Sequence, residues 1–262
     1  MTKFNIGNSI LNSSDIDTKQ NPLLQTHNVT EGTDKTQNIN SDFASVIVSK
    51  RAQNVNDNGY LLPKMVKLSV DYIGYQSKPT NYLGKITNRI KDTRNVKEIT
   101  LKELSKQIIT GHAFTNSYAN TGVKDKDFIS ADIVCLDFDG NISIQEVLDI
   151  LEKHNIIANI IYYTYSHGEK GERFRVITAL TETVTDKNEY KCIIKGYMSL
   201  FNENVDNATV ALVQRFLGTN KGLVRDVDET STTNKQIFLD LYKKNYKRKK
   251  EENKRQETQK KL

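Results

Sequence analysis

Val66, Leu68 and Val70 alternate with Lys67 and Ser69, the two-residue period of a strand with one face buried, and ordered structure is expected from about Leu61 onward. Thr100 then precedes a run with Leu101, Leu104, Ile108 and Ile109. Thr100 and Glu103 are spaced to satisfy each other's free backbone N–H groups at a helix start, and Gly111 is placed to end that helix. Residues 115–127 are rich in Asn, Gly, Asp and Lys and read as loop. Ile133, Val134, Cys135 and Leu136 form a continuous apolar run, the pattern of a strand buried on both faces. Ser143 and Glu146 repeat the reciprocal cap ahead of Val147, Leu148, Ile150 and Leu151. Strands follow at 156–165 and 174–180. Asp186 with Glu189 opens a third helix through Ile193, Ile194, Tyr197, Met198 and Phe201, and a shorter apolar stretch ends at Gly218.

Strand, helix, strand, strand, helix predicts an α/β (α+β) fold, a sheet covered by helices. Three segments are expected. Residues 1–60 are dominated by Asn, Ser, Thr, Asp and Gln, bury too little apolar surface to offset chain entropy, and are read as mostly disordered, with one candidate strand at 44–48. Residues 61–235 form the folded domain. Residues 236–262 form a basic helical tail.

Composition adds little to this, and charge adds more. With 37% hydrophobic and 27% charged residues and only three Pro, collagen-like and wholly disordered classes are excluded. No apolar run approaches the roughly 20 residues that cross a bilayer, and the first residues lack the apolar stretch of a signal peptide. Cys135 and Cys192 lie in apolar stretches and read as buried thiols of a reducing, cytoplasmic compartment. The net charge of +6 is uneven: from Leu241 onward ten Lys or Arg face three Glu, which leaves the rest of the chain nearly neutral.

Three groups of residues carry candidate chemistry. Asp137 and Asp139 close the apolar strand at i and i+2, which points both carboxylates to one face. Like charges so placed require a compensating cation, such as one or two hard divalent ions with oxygen ligands. The plainer reading is a strand end meeting solvent. Next, Thr164, Tyr165, Ser166 and His167 end the following strand, a polar turn intervenes, and Arg173 and Arg175 share one face of the return strand. Paired arginines suit phosphate oxygens, and the alternative is salt bridging to Glu169 or Glu172. His27, His112 and His154 lack such neighbours and read as structural or exposed. Last come Asp206 in Asn-Val-Asp-Asn and then Gln214, Arg215, Phe216, Leu217 and Gly218, with Lys221 and Gly222 close behind. Asp226 and Asp228 repeat the Asp-x-Asp spacing in a polar stretch and read as loop.

The order Asp-x-Asp-Gly, then Thr-x-Ser-His with Arg-Phe-Arg, then Val-Asp and Gln-Arg-Phe-Leu-Gly resembles the catalytic domain of archaeo-eukaryotic-type primases and primase-polymerases, as in replication proteins of bacterial phages and plasmids. The likeness spans roughly residues 98–225. It implies an RRM-like sheet core and two-metal nucleotidyl transfer on a single-stranded DNA template, with Mg²⁺ or Mn²⁺ as cofactor and nucleoside triphosphates as substrates. By that resemblance Asp137, Asp139 and Asp206 are the catalytic metal ligands, and Ser166, His167, Arg173 and Arg175 bind the incoming nucleotide. Arg215, Lys221 and the tail residues Lys247, Arg248, Lys249 and Lys250 would then contact DNA, the tail as a salt-sensitive tether. The residue two before His167 is Tyr165, where the family has a small one, and 210–213 hold no acid. No phosphate-binding G-x-x-x-x-G-K-[ST] motif is present, which implies a separate replicative helicase as partner, and no membrane is expected. Two alternatives stay open: a non-catalytic DNA-binding replication or regulatory protein of the same fold, and a haloacid-dehalogenase-type phosphatase with Asp137 as nucleophile and Asp139 as acid/base.

Overall fold

The computed structural model describes residues 57, 59–119, 124–169, 171–201, 204–212 and 214–259. The disordered segment and the strand proposed before residue 57, with His27, lie outside the described residues. Six antiparallel strands form one curled sheet in the order β2-β1-β3-β4-β6-β5. These strands are β1 (Met65–Gly74), β2 (Val96–Thr100), β3 (His112–Tyr118), β4 (Phe128–Asp139), β5 (Ile160–Tyr163) and β6 (Arg173–Val184). The helices are α1 (Leu83–Ile90), α2 (Leu101–Ile109), the single turn α3 (Lys124–Asp127), α4 (Ile144–Lys153), α5 (Lys187–Met198) and α6 (Lys235–Gln259). Among the described residues no helix is long and apolar enough to cross a membrane.

The residues that predicted the caps make them. Thr100 Oγ1 accepts from the Glu103 N–H at 3.1 Å while the Glu103 carboxylate accepts from the Thr100 N–H at 2.8 Å, and Ser143 and Glu146 repeat the exchange at α4. Asp186 caps α5 through the Glu189 N–H. Gly111 adopts φ +85°, and a Cβ there would stand 1.9 Å from the Tyr75 carbonyl oxygen, so only glycine ends α2 this way.

β4 is the spine, and its apolar run separates two cores. Val134, Leu136 and Phe138 face a helical layer built from Val147 and Leu151 of α4, Ile193 and Tyr197 of α5, and Phe238 of α6. Ile133 and Cys135 face the inside of the curl, where Val66, Leu68 and Val70 of β1 and Leu104 and Ile108 of α2 meet Ile160 and Tyr162 of β5. Each fully buried aliphatic side chain contributes roughly 1.5–3 kcal/mol. Asp137 and Asp139 continue the alternation of Ile133 and Cys135, and so belong to the inner, concave face.

Three expectations are corrected. Residues 115–118 are not loop but the second half of β3, and 124–127 form the turn α3; in β3, Thr115 Oγ1 donates to the Gln214 carbonyl at 2.8 Å and Asn116 Nδ2 to the Tyr190 hydroxyl at 2.7 Å. Cys192 is only half-buried, unlike Cys135. Among the described residues, the apolar stretch to Gly218 forms no helix or strand beyond the 3₁₀ turn Asn207–Val210, although Phe216 makes an isolated bridge to Phe114.

The start of the C-terminal helix is core rather than tail. Phe238 is fully buried against Tyr197, with ring centroids 4.9 Å apart. A Cβ on Gly196 would lie 1.9 Å from the Phe238 carbonyl oxygen, so α5 and α6 meet backbone to backbone at that point. The exposed basic stretch begins only at Lys243.

Candidate functional site

The site sits where the sheet comes apart. β3 pairs with β1 through His112 and Asn116 but with β4 only at Ser117 and Tyr118, so the later residues of β4 diverge from β3. The chain returning after α5 fills that opening. Val205 bridges Phe138, the Asp206 N–H donates to the Asp137 carbonyl at 3.0 Å, and Phe216 bridges Phe114. On its other edge β4 pairs with β6 in a register that sets Asp137 opposite Arg175 and Asp139 opposite Arg173. A cavity of about 210 Å³ results, whose lining includes Asp137, Asp139 and Asp206 together with Lys78, Arg173 and Arg175.

The two cross-strand pairs differ in depth. Arg175 donates from Nε and Nη2 to Asp137 Oδ2 at 2.8 and 2.6 Å, and their side chains are 12% and 14% exposed. Its Nη1 donates to the Leu217 carbonyl at 2.8 Å and to the Tyr162 hydroxyl at 3.4 Å, so all three guanidinium nitrogens are held. The rings of Tyr162 and Phe216 flank the guanidinium at 5.8 and 5.9 Å. Burial pushes the Asp137 carboxyl above the usual carboxylate range; Arg175 opposes that, and Asp139 and Asp206 add to it. Arg173 and Asp139 approach only to 3.5 Å and are 23% and 51% exposed. Arg173 Nε is buried with no hydrogen-bond partner, so this guanidinium retains donor capacity.

Ser166 lines the cavity and accepts a hydrogen bond from Lys78 Nζ at 3.3 Å. His167 stands just outside that lining. Its Nδ1 accepts from the Arg173 N–H at 3.2 Å and its ring packs on Tyr163 at 4.0 Å, which puts the proton of the neutral ring on Nε2. Tyr165 is nearly buried, with its hydroxyl donating to the Tyr75 carbonyl. Glu172 bonds the Ile144 N–H at the start of α4 at 2.9 Å, so the arginines pair with the aspartates and not with that glutamate.

The remaining candidates lie elsewhere. Arg215 points beneath α1, where Nη1 donates to the Leu83 carbonyl at 3.2 Å and to Thr87 Oγ1, and burial lowers its pKa. Lys221 is exposed in the turn that ends at Gly222. Lys247, Arg248, Lys249 and Lys250 are exposed on α6, with Arg248 reaching Glu252 at 3.8 Å. His112 bonds the Asp71 carbonyl through Nδ1, and Asp228 accepts from the Thr230 and Ser231 N–H groups within a loop. Sequence reasoning missed Lys78, in the unpatterned run Ser-Lys-Pro-Thr, which carries no motif to find it by. It also missed the clamp on Arg175, made by a backbone carbonyl and a tyrosine that no spacing connects.

Three carboxylates on one cavity are hard oxygen donors of the kind Mg²⁺ and Mn²⁺ take. Asp137 Oδ1 accepts no hydrogen bond among the described residues, and Asp206 uses Oδ1 to cap the turn at the Ala208 N–H. The spacing is looser than the chemistry. Among the described residues no group of three His, Cys, Asp or Glu side chains is arranged to hold a metal ion. Asp139 would have to turn from Arg173, which the long 3.5 Å contact permits.

No family model and no curated protein matches the chain. Among solved structures, the AEP domain of the cyanophage S-2L primase-polymerase superposes with a TM-score of 0.36 at 6% sequence identity, over 69% of this chain and 89% of that one. An overlap that loose assigns no role to any residue.

Proposed function

We propose that the chain is a DNA replication protein that carries out primase- or polymerase-type nucleotidyl transfer on a single-stranded template. The observation that supports this most is that Asp137, Asp139 and Asp206, drawn from two distant parts of the sequence, line one cavity with Lys78, Arg173 and Ser166. The motif order described above resembles the same chemistry.

Each side chain then has a task. Arg175 is a positioning residue: with every nitrogen engaged, it fixes the Asp137 carboxylate and leaves Oδ1 available. Asp137, Asp139 and Asp206 are the residues that would hold a divalent ion, which when bound polarises a phosphate and stabilises the charge developing on it. Arg173 and Lys78 are the cations free enough to receive phosphate oxygens, and Ser166 orients the Lys78 ammonium. His167 ties the turn to the start of β6 through Nδ1 and keeps its proton on Nε2.

The non-catalytic DNA-binding reading draws on a specific observation too, the commitment of Asp137 to Arg175 without a metal-spaced trio. The phosphatase reading gives Asp206 and Arg173 no task. One set of assays separates all three: the unaltered chain, Asp139→Ala and Asp206→Ala are each incubated with single-stranded template, labelled nucleotides and Mg²⁺ or Mn²⁺, and assayed in parallel for DNA binding and for hydrolysis of a generic phosphomonoester. Metal-dependent extension lost in both variants supports nucleotidyl transfer. Inert proteins that bind DNA equally support the non-catalytic reading, and hydrolysis of a generic phosphomonoester supports the phosphatase.

A further inference from the structure

Between Tyr72 and Lys97 the chain carries six basic residues and one acid, a local excess that the near-neutral body conceals. This segment forms the outer face of β1 and α1. Tyr72 is 61% exposed, and Arg89 lies over one side of its ring at 5.5 Å. That guanidinium is held by three hydrogen bonds. Its Nε and Nη2 donate to the two oxygens of the fully buried Asp71 at 2.6 and 2.7 Å, and Nη2 also donates to the Tyr75 hydroxyl at 2.8 Å. Tyr72 is therefore a ring with a fixed cation over one side, beside a cavity of about 490 Å³ whose rim includes the exposed Arg94, which pairs with Asp92 on the same rim.

The aromatic row continues toward the carboxylate cavity. The Tyr75 ring packs on Tyr82 at 5.7 Å, and Tyr82 is half-exposed with Lys85 Nζ 5.6 Å from its ring. The Tyr75 carbonyl accepts the Tyr165 hydroxyl, and Tyr165 and Lys78 both line the carboxylate cavity. Rings interleaved with cations suit one class of partner, a flexible polyanion that offers a flat base every few ångströms.

We propose that the β1–α1 face binds single-stranded nucleic acid, with bases stacking on Tyr72 and Tyr82 and phosphates meeting Lys85 and Arg94, and leads the strand toward Lys78 and the cavity. The direction of the strand rests on the nucleotidyl-transfer reading; the binding itself does not. The face is held together by the Asp71–Arg89–Tyr75 contacts, and its stacking component resists salt where ammonium–phosphate contacts fade.

The test uses the full chain with fluorescent oligo(dT) and oligo(U) of about 15 nucleotides, within the usual span of such sites, by anisotropy at low and high salt. Tyr72→Ala is expected to weaken binding about tenfold at both salt concentrations, within what the loss of one base–ring stack removes. Tyr72→Phe should bind like the unaltered chain, and the effect of Arg94→Ala should shrink as salt rises. Preference for oligo(dT) assigns the face to DNA, and equal binding assigns it to either strand. Equal affinity of Tyr72→Ala and the unaltered chain overturns the proposal, as does a lack of binding to either strand. Extension assays on the same proteins separate the two claims: weakened binding by Tyr72→Ala with no extension by any protein sustains this face and rejects the transferase reading. Extension with unchanged affinity does the reverse.

Discussion

Asp137–Arg175 and Asp139–Arg173 are built from the same residue types, two positions apart on the same two strands, in the same register. They nonetheless behave as different objects. The inner pair is shut between Tyr162, Phe216 and the Leu217 carbonyl, whereas the outer pair is long, half in solvent and short of partners. Depth alone separates them, because desolvation makes the charges of the inner pair costly to hold and more costly to leave unmatched. Asp71–Arg89 repeats the inner type away from the carboxylate cavity, which shows that a buried bidentate pair is a structural device in this fold. One pair thus holds the strand ends together, and the adjacent pair is left accessible to solvent.

That difference is testable through stability. Asp137→Ala leaves the buried Arg175 guanidinium uncompensated and is expected to cost about 3–5 kcal/mol, read from urea denaturation. A loss comparable to that of a surface pair would erase the distinction. Arg175→Lys keeps the charge but not the planar fork, and a smaller loss of roughly 1–3 kcal/mol is expected, since two charge-assisted contacts cannot be reproduced by one ammonium. Tyr162→Phe removes the hydrogen bond to the Leu217 carbonyl and the long contact from Arg175 Nη1, and should cost about 0.5–1.5 kcal/mol in the same assay. Asp139→Ala and Arg173→Ala should each lie within about 1 kcal/mol of the unaltered chain, as exposed pairs do.

Acid titration sharpens the same point. The Asp137 carboxyl is raised, so the folded chain retains a proton that the unfolded chain has released between the ordinary aspartate value and the raised one. Its contribution to stability is therefore fully present below the ordinary value and declines as pH rises through the raised one. Asp137→Asn should remove that component from the stability–pH curve, while Asp139→Asn leaves it in place. An unchanged curve in Asp137→Asn would assign the component to another group.

Much of this was legible in the chain. Alternation at Val66, Leu68 and Val70, the reciprocal caps at Thr100 and Ser143, and the apolar run 133–136 are local signals, and each became the element it predicts. The placement of Asp137 and Asp139 on one face followed from strand period alone. β3 was not legible, because Thr115 and Asn116 are buried through partners from Gln214 and Tyr190 that no local pattern reveals. Likewise the arginines announced a cationic face, but that each stands opposite an aspartate is a matter of cross-strand register. Lys78 enters the site only through tertiary packing.

If the outer carboxylates serve ligand chemistry rather than the fold, Asp139→Ala separates the two. Its template-directed nucleotide incorporation is measured beside its unfolding curve. Near-native stability with metal-dependent incorporation abolished is the expected result. Native stability with incorporation equal to that of the unaltered chain would contradict it.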